Sequence, residues 1–156
     1  MKLYAVGDIH GCYRELNRLL EIIHKDIGKD KAKVVFIGDY IDRGPNSFEV
    51  VETLNKLRLN PPENIEYVFL RGNHEVMMMD AGIFSNRSNI DTLHNIQLWI
   101  QNGGMQTERD YQKIADFEGI SLQEAYNKHK EFYQSLEYYR QHEDIVFAHA
   151  GINPKG

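Results

Sequence analysis

Three apolar runs in this chain end in a glycine followed by side chains that bind metals and phosphates. They are Gly7-Asp8-Ile9-His10-Gly11, Gly38-Asp39-Tyr40-Ile41-Asp42-Arg43-Gly44 and Arg71-Gly72-Asn73-His74-Glu75. A fourth run, Ile145-Val146-Phe147-Ala148, ends in His149-Ala150-Gly151. Carboxylates, imidazoles and an amide oxygen make a mixed oxygen and nitrogen donor set. Such a set favours manganese, with iron or zinc as options, whereas magnesium and calcium prefer oxygen alone. Asp8 and His10 lie two residues apart, so an extended segment points both to one side. Together with Asp39 they can hold one metal. Asp39 has two oxygens and can bridge to a second metal, completed by Asn73 and His149. A pair of divalent ions so held activates water and clamps the group it attacks.

Arg43 is the candidate phosphate ligand, because its planar fork matches two phosphate oxygens and keeps its charge at any working pH. His74 follows Asn73 at the rim of the same site and, as an imidazolium, can protonate a leaving alkoxide. Asp42, next to Arg43, is the candidate partner that orients that imidazole and holds its proton. Taken singly, these residues have ordinary readings. An Asp after a strand often caps a helix or closes an Asx turn, and a lone histidine in an apolar strand is more often a core residue. Recurrence at four corresponding strand ends sets this group apart. His24, His94, His129 and His142 have no such context and read as structural or surface residues. Met77-Met78-Met79 reads as packing, and Trp99 as core of the helical region around it.

The elements that would position these groups can be read from periodicity. Residues 3–6, 33–37 and 65–70 are apolar strand candidates. Between them, Leu16, Leu19, Leu20, Ile23 and Ile27 mark one helix face, ended by Gly28. Phe48, Val51, Leu54 and Leu57 mark a second, with Ser47 as its cap and Pro61-Pro62 beyond its end. This alternation predicts an α/β fold with a mainly parallel sheet, its ligand site beyond the carboxyl ends of the strands. A short helix is expected from His74 to about Asp80. The stretch of about 83–141 reads as a helical insert in a single domain spanning 1–156. In it, Leu122, Ala125, His129, Phe132, Leu136 and Tyr139 are spaced for one long amphipathic helix. Residues 144–149 are expected to rejoin the sheet as a fourth strand.

Composition narrows the partners. The 156 residues carry a net charge of −5, with 42% hydrophobic and 26% charged residues, ordinary for a globular domain. An acidic balance argues against nucleic acid and anionic membrane as partners. The single cysteine, Cys12, excludes an internal disulfide and fits a reducing, cytoplasmic setting.

The motifs Gly-Asp-Ile-His-Gly, Gly-Asp-Tyr-Ile-Asp-Arg-Gly and Arg-Gly-Asn-His-Glu resemble the three signatures of the metal-dependent serine/threonine phosphoprotein phosphatases. That family lies within the calcineurin-like metallophosphoesterases. His149-Ala150-Gly151 is similar to the family's next metal histidine. The Gly11-Cys12-Tyr13 and Trp99…Asn102-Gly103-Gly104…Thr107 stretches are similar to its bacterial and bacteriophage branch. The resemblance implies a βαβαβ core forming part of a β-sandwich flanked by helices. It implies two metal ions on Asp8, His10, Asp39, Asn73 and His149, phosphate on Arg43, and His74 as general acid paired with Asp42. It also implies that the pattern continues with a further arginine and another metal histidine. The chain is therefore expected to be a C-terminally truncated piece, with its second metal one protein ligand short.

By this resemblance the expected activity is hydrolysis of phosphoserine or phosphothreonine in a phosphoprotein or phosphopeptide, by direct attack of water without a phosphoenzyme. A dinucleoside tetraphosphate hydrolase is the near alternative, although Asp42 and Glu75 lean toward the protein phosphatases. A non-catalytic phosphate-binding fragment is the third reading.

Overall fold

The computed structural model describes residues 1–84 and 90–151. Three parallel strands form its centre: β1 (Lys2–Val6), β2 (Ala32–Phe36) and β3 (Ile65–Phe69), in that spatial order. Helices α1 (Tyr13–Ile27) and α2 (Ser47–Leu59) make the crossovers. The middle strand is buried along its whole length, as its run Ala-Lys-Val-Val-Phe requires of a strand covered on both faces. Alternation divides its side chains. Val34 and Phe36 enter the main core with α1 and α2, while Val35 packs with Val68, Leu70 and the half-buried Leu3, Ile37 and Phe147 on the other face.

Leu16, Leu20, Ile23 and Ile27 of α1 face the core, but Leu19 is 38% exposed. At 100° per residue, Leu19 falls at the edge of the stripe that Leu16, Leu20, Ile23 and Ile27 define. In α2 the buried positions are Ser47, Phe48, Val50, Val51 and Leu54. Asn46 stands at the cap position of α2, and Ser47 lies inside the helix, where its hydroxyl accepts the Asp42 N–H at 3.2 Å. The Phe48 N–H at that helix start is satisfied by Asp110, at 2.8 Å, from a distant helix.

After β3 come α3 (Asn73–Asp80), α4 (Ile90–Trp99), a kinked turn (Ile100–Gly104), α5 (Met105–Glu118), α6 (Leu122–Asn127) and α7 (Lys130–Ser135). Part of the expected insert, residues 85–89, lies outside the described residues. The single long helix expected through Tyr139 is two short ones, and the insert does not run to 141. His129, between α6 and α7, adopts a non-helical backbone, and Leu136 is extended. Tyr139 instead opens strand β4 (Tyr139–His142), which pairs antiparallel with β5 (Ile145–Ala148). The fourth strand therefore joins a hairpin, not the parallel ladder. A single bridge, Leu70 with Glu137, links the hairpin's approach to the end of β3, with the Arg71 N–H donating to Glu137 O at 2.7 Å. That link brings the segment after β5 to the carboxyl end of the sheet. No helix among the described residues is long and apolar enough to cross a membrane.

Candidate active site

The loops after β1, β2 and β3 interlock through their backbones. Ile9 and His10 N–H both donate to Asp39 O, at 2.9 and 3.0 Å, and Gly11 N–H to Tyr40 O at 2.8 Å. The Glu75 carboxylate ties the third loop to the second: it accepts from Asp39 N–H at 2.9 Å, Tyr40 N–H at 2.8 Å and Gly72 N–H at 2.9 Å. Burial pushes its carboxyl up to about 7, with these three donors pulling the other way. Gly72 is required here for space, since a Cβ would sit 2.1 Å from Asp39 Oδ1.

This packing forces an unusual backbone. Among the described residues, five non-glycine residues have positive φ, and four of them are candidate site residues: His10 (45°), Asp39 (56°), Asp42 (71°) and Arg43 (65°). Each such conformation costs on the order of 1–3 kcal/mol and concentrates where function dictates geometry. It also corrects the expectation that Asp8 and His10 share one side of an extended segment. The chain turns at His10.

Asp39 lies at the centre. Two donor groups converge within 4.8 Å, one of His10, Asp39 and His74, the other of Asp8, Asp39 and His149. Asp39 belongs to both, as a bridging ligand would. Asp8, however, gathers with His149 instead of with His10. Asp39 Oδ2 is 3.3 Å from His149 Nε2 and 3.7 Å from His10 Nε2, while Oδ1 accepts the His74 N–H at 3.1 Å. Asn73 Oδ1 is 3.0 Å from His149 Nε2.

The two outer imidazoles are oriented for ligation. His10 Nδ1 meets Ile41 O at 2.7 Å and His149 Nδ1 meets Ile37 O at 2.9 Å. A backbone carbonyl can only accept, so each Nδ1 carries the proton and each Nε2 presents a lone pair, the arrangement of metal-bound histidines. At His149 this sets a nitrogen lone pair against an amide oxygen and a carboxylate oxygen. Three acceptors facing one another call for a cation between them, so the residues present fit a divalent metal.

Arg43 is exposed, and its two terminal nitrogens reach His10 Nε2 at 3.1 Å and His74 Nε2 at 3.0 Å. His74 is buried, with Nδ1 2.7 Å from Asp42 Oδ2. Burial works to lower its pKa, but the Asp42 hydrogen bond and the Asp39 charge outweigh that and hold it above the ordinary histidine value. Two further groups complete this pair. The Trp99 indole N–H donates to both Asp42 oxygens, at 3.1 and 2.9 Å, and the Thr107 hydroxyl donates to Oδ1 at 2.7 Å. Sequence reasoning placed Trp99 in the core and gave neither residue a role. The signal present was the Asn102-Gly103-Gly104 stretch between them. Beside His149 and Asn73 a cleft of about 320 Å³ is lined by Arg71, Tyr138 and Tyr139.

The calcineurin-like phosphoesterase pattern matches residues 1–156. The chain belongs to that family. A symmetrical bis(5'-nucleosyl)-tetraphosphatase from Coxiella burnetii is 39% identical over 95 residues, 60% of this chain and 30% of the relative. A Caenorhabditis elegans protein carrying a serine/threonine-protein phosphatase name is 41% identical over 71 residues, 46% of this chain and 18% of that protein. The chain thus spans about a third or less of these relatives. A serine/threonine phosphatase structure from Saccharomyces cerevisiae aligns over 89% of this chain and 37% of its own, with 20% identity and a TM-score of 0.50, a likeness of fold. Family membership implies divalent metals, and the two His and Asp groups described above could hold them.

Proposed function

We propose that these residues form the metal- and phosphate-binding core of a phosphoesterase whose first substrate to test is a dinucleoside tetraphosphate. The observation that carries the phosphoesterase reading is Asp39, shared by two donor groups beside the Arg43 guanidinium. In this reading Asp8, His10, Asp39, Asn73 and His149 hold two divalent ions, with manganese the first candidate. When bound, such ions acidify a water and neutralise charge on the phosphoryl oxygens. Arg43 grips the phosphoryl oxygens and aligns the phosphorus. The tetraphosphatase name of the Coxiella relative supports the dinucleotide, and the exposed Tyr138 and Tyr139 rings beside His149 offer surfaces on which a base can stack.

One observation favours a second reading, a phosphoserine or phosphothreonine substrate in a phosphoprotein. Cleavage of a tetraphosphate releases a phosphate leaving group that hardly needs a proton, whereas an alkoxide needs one. The buried His74–Asp42 pair, whose hydrogen bond raises the imidazole above the ordinary histidine value, suits the alkoxide. The experiment is a direct competition. Diadenosine tetraphosphate and a phosphoserine peptide are compared for kcat/KM with added manganese, in the wild type and in His74→Asn. A dinucleotide substrate should be preferred and should survive His74→Asn. A preferred phosphopeptide, lost by roughly 10²–10⁴ in His74→Asn, would replace the first reading with the second. Turnover of neither would leave phosphate binding as the function of this segment.

A further inference from the structure

The helical insert closes around one carboxylate. Asp42 is fully buried, and its oxygens are contacted by three side chains: His74 Nδ1 on Oδ2, Thr107 Oγ1 on Oδ1, and Trp99 Nε1 on both. Trp99 and Thr107 lie on either side of the kink at Gly103, where the left-handed backbone breaks the path from α4 into α5. Thr107 also accepts the Asp42 N–H at 2.8 Å, so one hydroxyl fixes both the backbone and the side chain of that residue. The turn itself bears on the neighbouring arginine. Gly103 O accepts the Arg43 N–H at 3.2 Å, and Gly103 has φ 106° where a Cβ would lie 2.9 Å from Arg43 Cγ. Gly104 lets the backbone pass the indole, since a Cβ there would sit 2.5 Å from the Trp99 ring.

We infer that Trp99 and Thr107 are positioning residues for the proton-donating step: they lock the Asp42 carboxylate so that Oδ2 faces His74 and His74 Nε2 faces the phosphate side, next to Arg43. This rests on the second reading above, in which His74 protonates a leaving alkoxide. A buried indole N–H needs some acceptor, and any carbonyl would serve. Here it is given to the one carboxylate that holds His74, and a second donor from the same insert does the same. With both in place, the carboxylate plane is fixed and the position left on Oδ2 belongs to the imidazole. Without them Asp42 is a buried charge short of donors, free to turn about its last torsion and to draw the imidazole out of line. In the step they serve, the proton on His74 Nε2 passes to the leaving oxygen as the P–O bond breaks and its electron pair goes to that oxygen. The Nδ1 proton stays on His74, hydrogen-bonded to Asp42.

The test uses Trp99→Phe, Thr107→Val, Thr107→Ser and His74→Asn, each loaded with Mn²⁺. Turnover is measured on p-nitrophenyl phosphate, whose leaving group needs no proton, and on a phosphoserine peptide, whose leaving group does. Trp99→Phe and Thr107→Val should lose roughly 10–100-fold in kcat on the peptide, the usual loss when a supporting hydrogen bond is removed. KM, Mn²⁺ content and p-nitrophenyl phosphate turnover should be nearly unchanged. Thr107→Ser should restore the peptide rate. If His74→Asn splits the two substrates while Trp99→Phe and Thr107→Val slow both equally or neither, the positioning role is wrong. If His74→Asn itself fails to split them, the proton-donor reading falls, and this inference with it.

A second readout needs no turnover. In metal-free protein the His74 Nδ1 proton, assigned by its loss in His74→Asn, should be a sharp, slowly exchanging NMR signal in the wild type and Thr107→Ser. It should broaden in Trp99→Phe and Thr107→Val. A signal equally sharp in both of those variants overturns the proposal.

Discussion

The Glu75 carboxylate, at the start of α3, accepts the backbone N–H of Asp39 at 2.9 Å, so the loop after β3 fixes the main chain of the residue shared by both donor groups. The same carboxylate also serves Tyr40 and Gly72, and it is fully buried. Glu75→Ala should leave three backbone donors without their acceptor. Destabilisation of roughly 2–4 kcal/mol is expected from groups of this kind. Urea denaturation measures it, and manganese binding should weaken in parallel as the Asp39 loop loosens. Unchanged manganese affinity in a folded variant would mean that Asp39 holds its place without Glu75.

Asp39→Asn should behave differently. The amide oxygen can still accept the His74 N–H that Asp39 Oδ1 accepts now, so the fold should survive. The carboxylate shared by the two donor groups is gone, and metal occupancy should drop at both. Metal analysis of the purified variant decides the matter. Two fully occupied ions would contradict the bridging assignment.

Arg43→Ala should raise KM and lower kcat together, because a bidentate phosphate contact acts in both the ground state and the transition state. Inhibition by inorganic phosphate should weaken by about 10–100-fold, the range for losing a charge-assisted contact. A phosphate inhibition constant equal to that of the wild type would place Arg43 off the phosphoryl group.

A pH effect on stability should arise away from the metals. Burial pushes the Asp110 carboxyl from 3.8 up to about 6, opposed by the Phe48 N–H it accepts and reinforced by the Glu49 charge. A carboxyl that binds its proton more tightly when folded stabilises the fold at low pH. That contribution is present in full below about pH 4 and is lost as pH rises to about 6. Asp110→Asn keeps an oxygen for Phe48 and removes the titration. Between those pH values the wild type should lose on the order of 1–3 kcal/mol relative to the variant. Parallel unfolding free energies across the range would show that Asp110 is not the cause.

The site was legible in the sequence where its chemistry sits at strand ends. The Asp8, Asp39 and Asn73 loops announce themselves by a glycine after an apolar run, and parallel pairing brings them to one edge; His149 was marked only by its apolar run and arrives there from the β4–β5 hairpin. The turn at His10 was not legible, because the backbone hydrogen bonds from Ile9 and His10 to Asp39 O impose it from outside the segment. Trp99 and Thr107 reach Asp42 across 57 and 65 residues of chain, a distance over which periodicity carries no information. The β4 strand was hidden for another reason. Leu136 and Tyr139 are three apart, as on a helix, and β4 itself is short, polar and half exposed, so alternation left little trace.

The left-handed backbone at His10, Asp39, Asp42 and Arg43 has an evolutionary consequence. At the exposed Arg43 glycine would relieve strain, so a selection for heat resistance alone should drift toward glycine there and weaken the site, whereas at Asp39 and Asp42 the buried donors their carboxylates satisfy oppose that exchange.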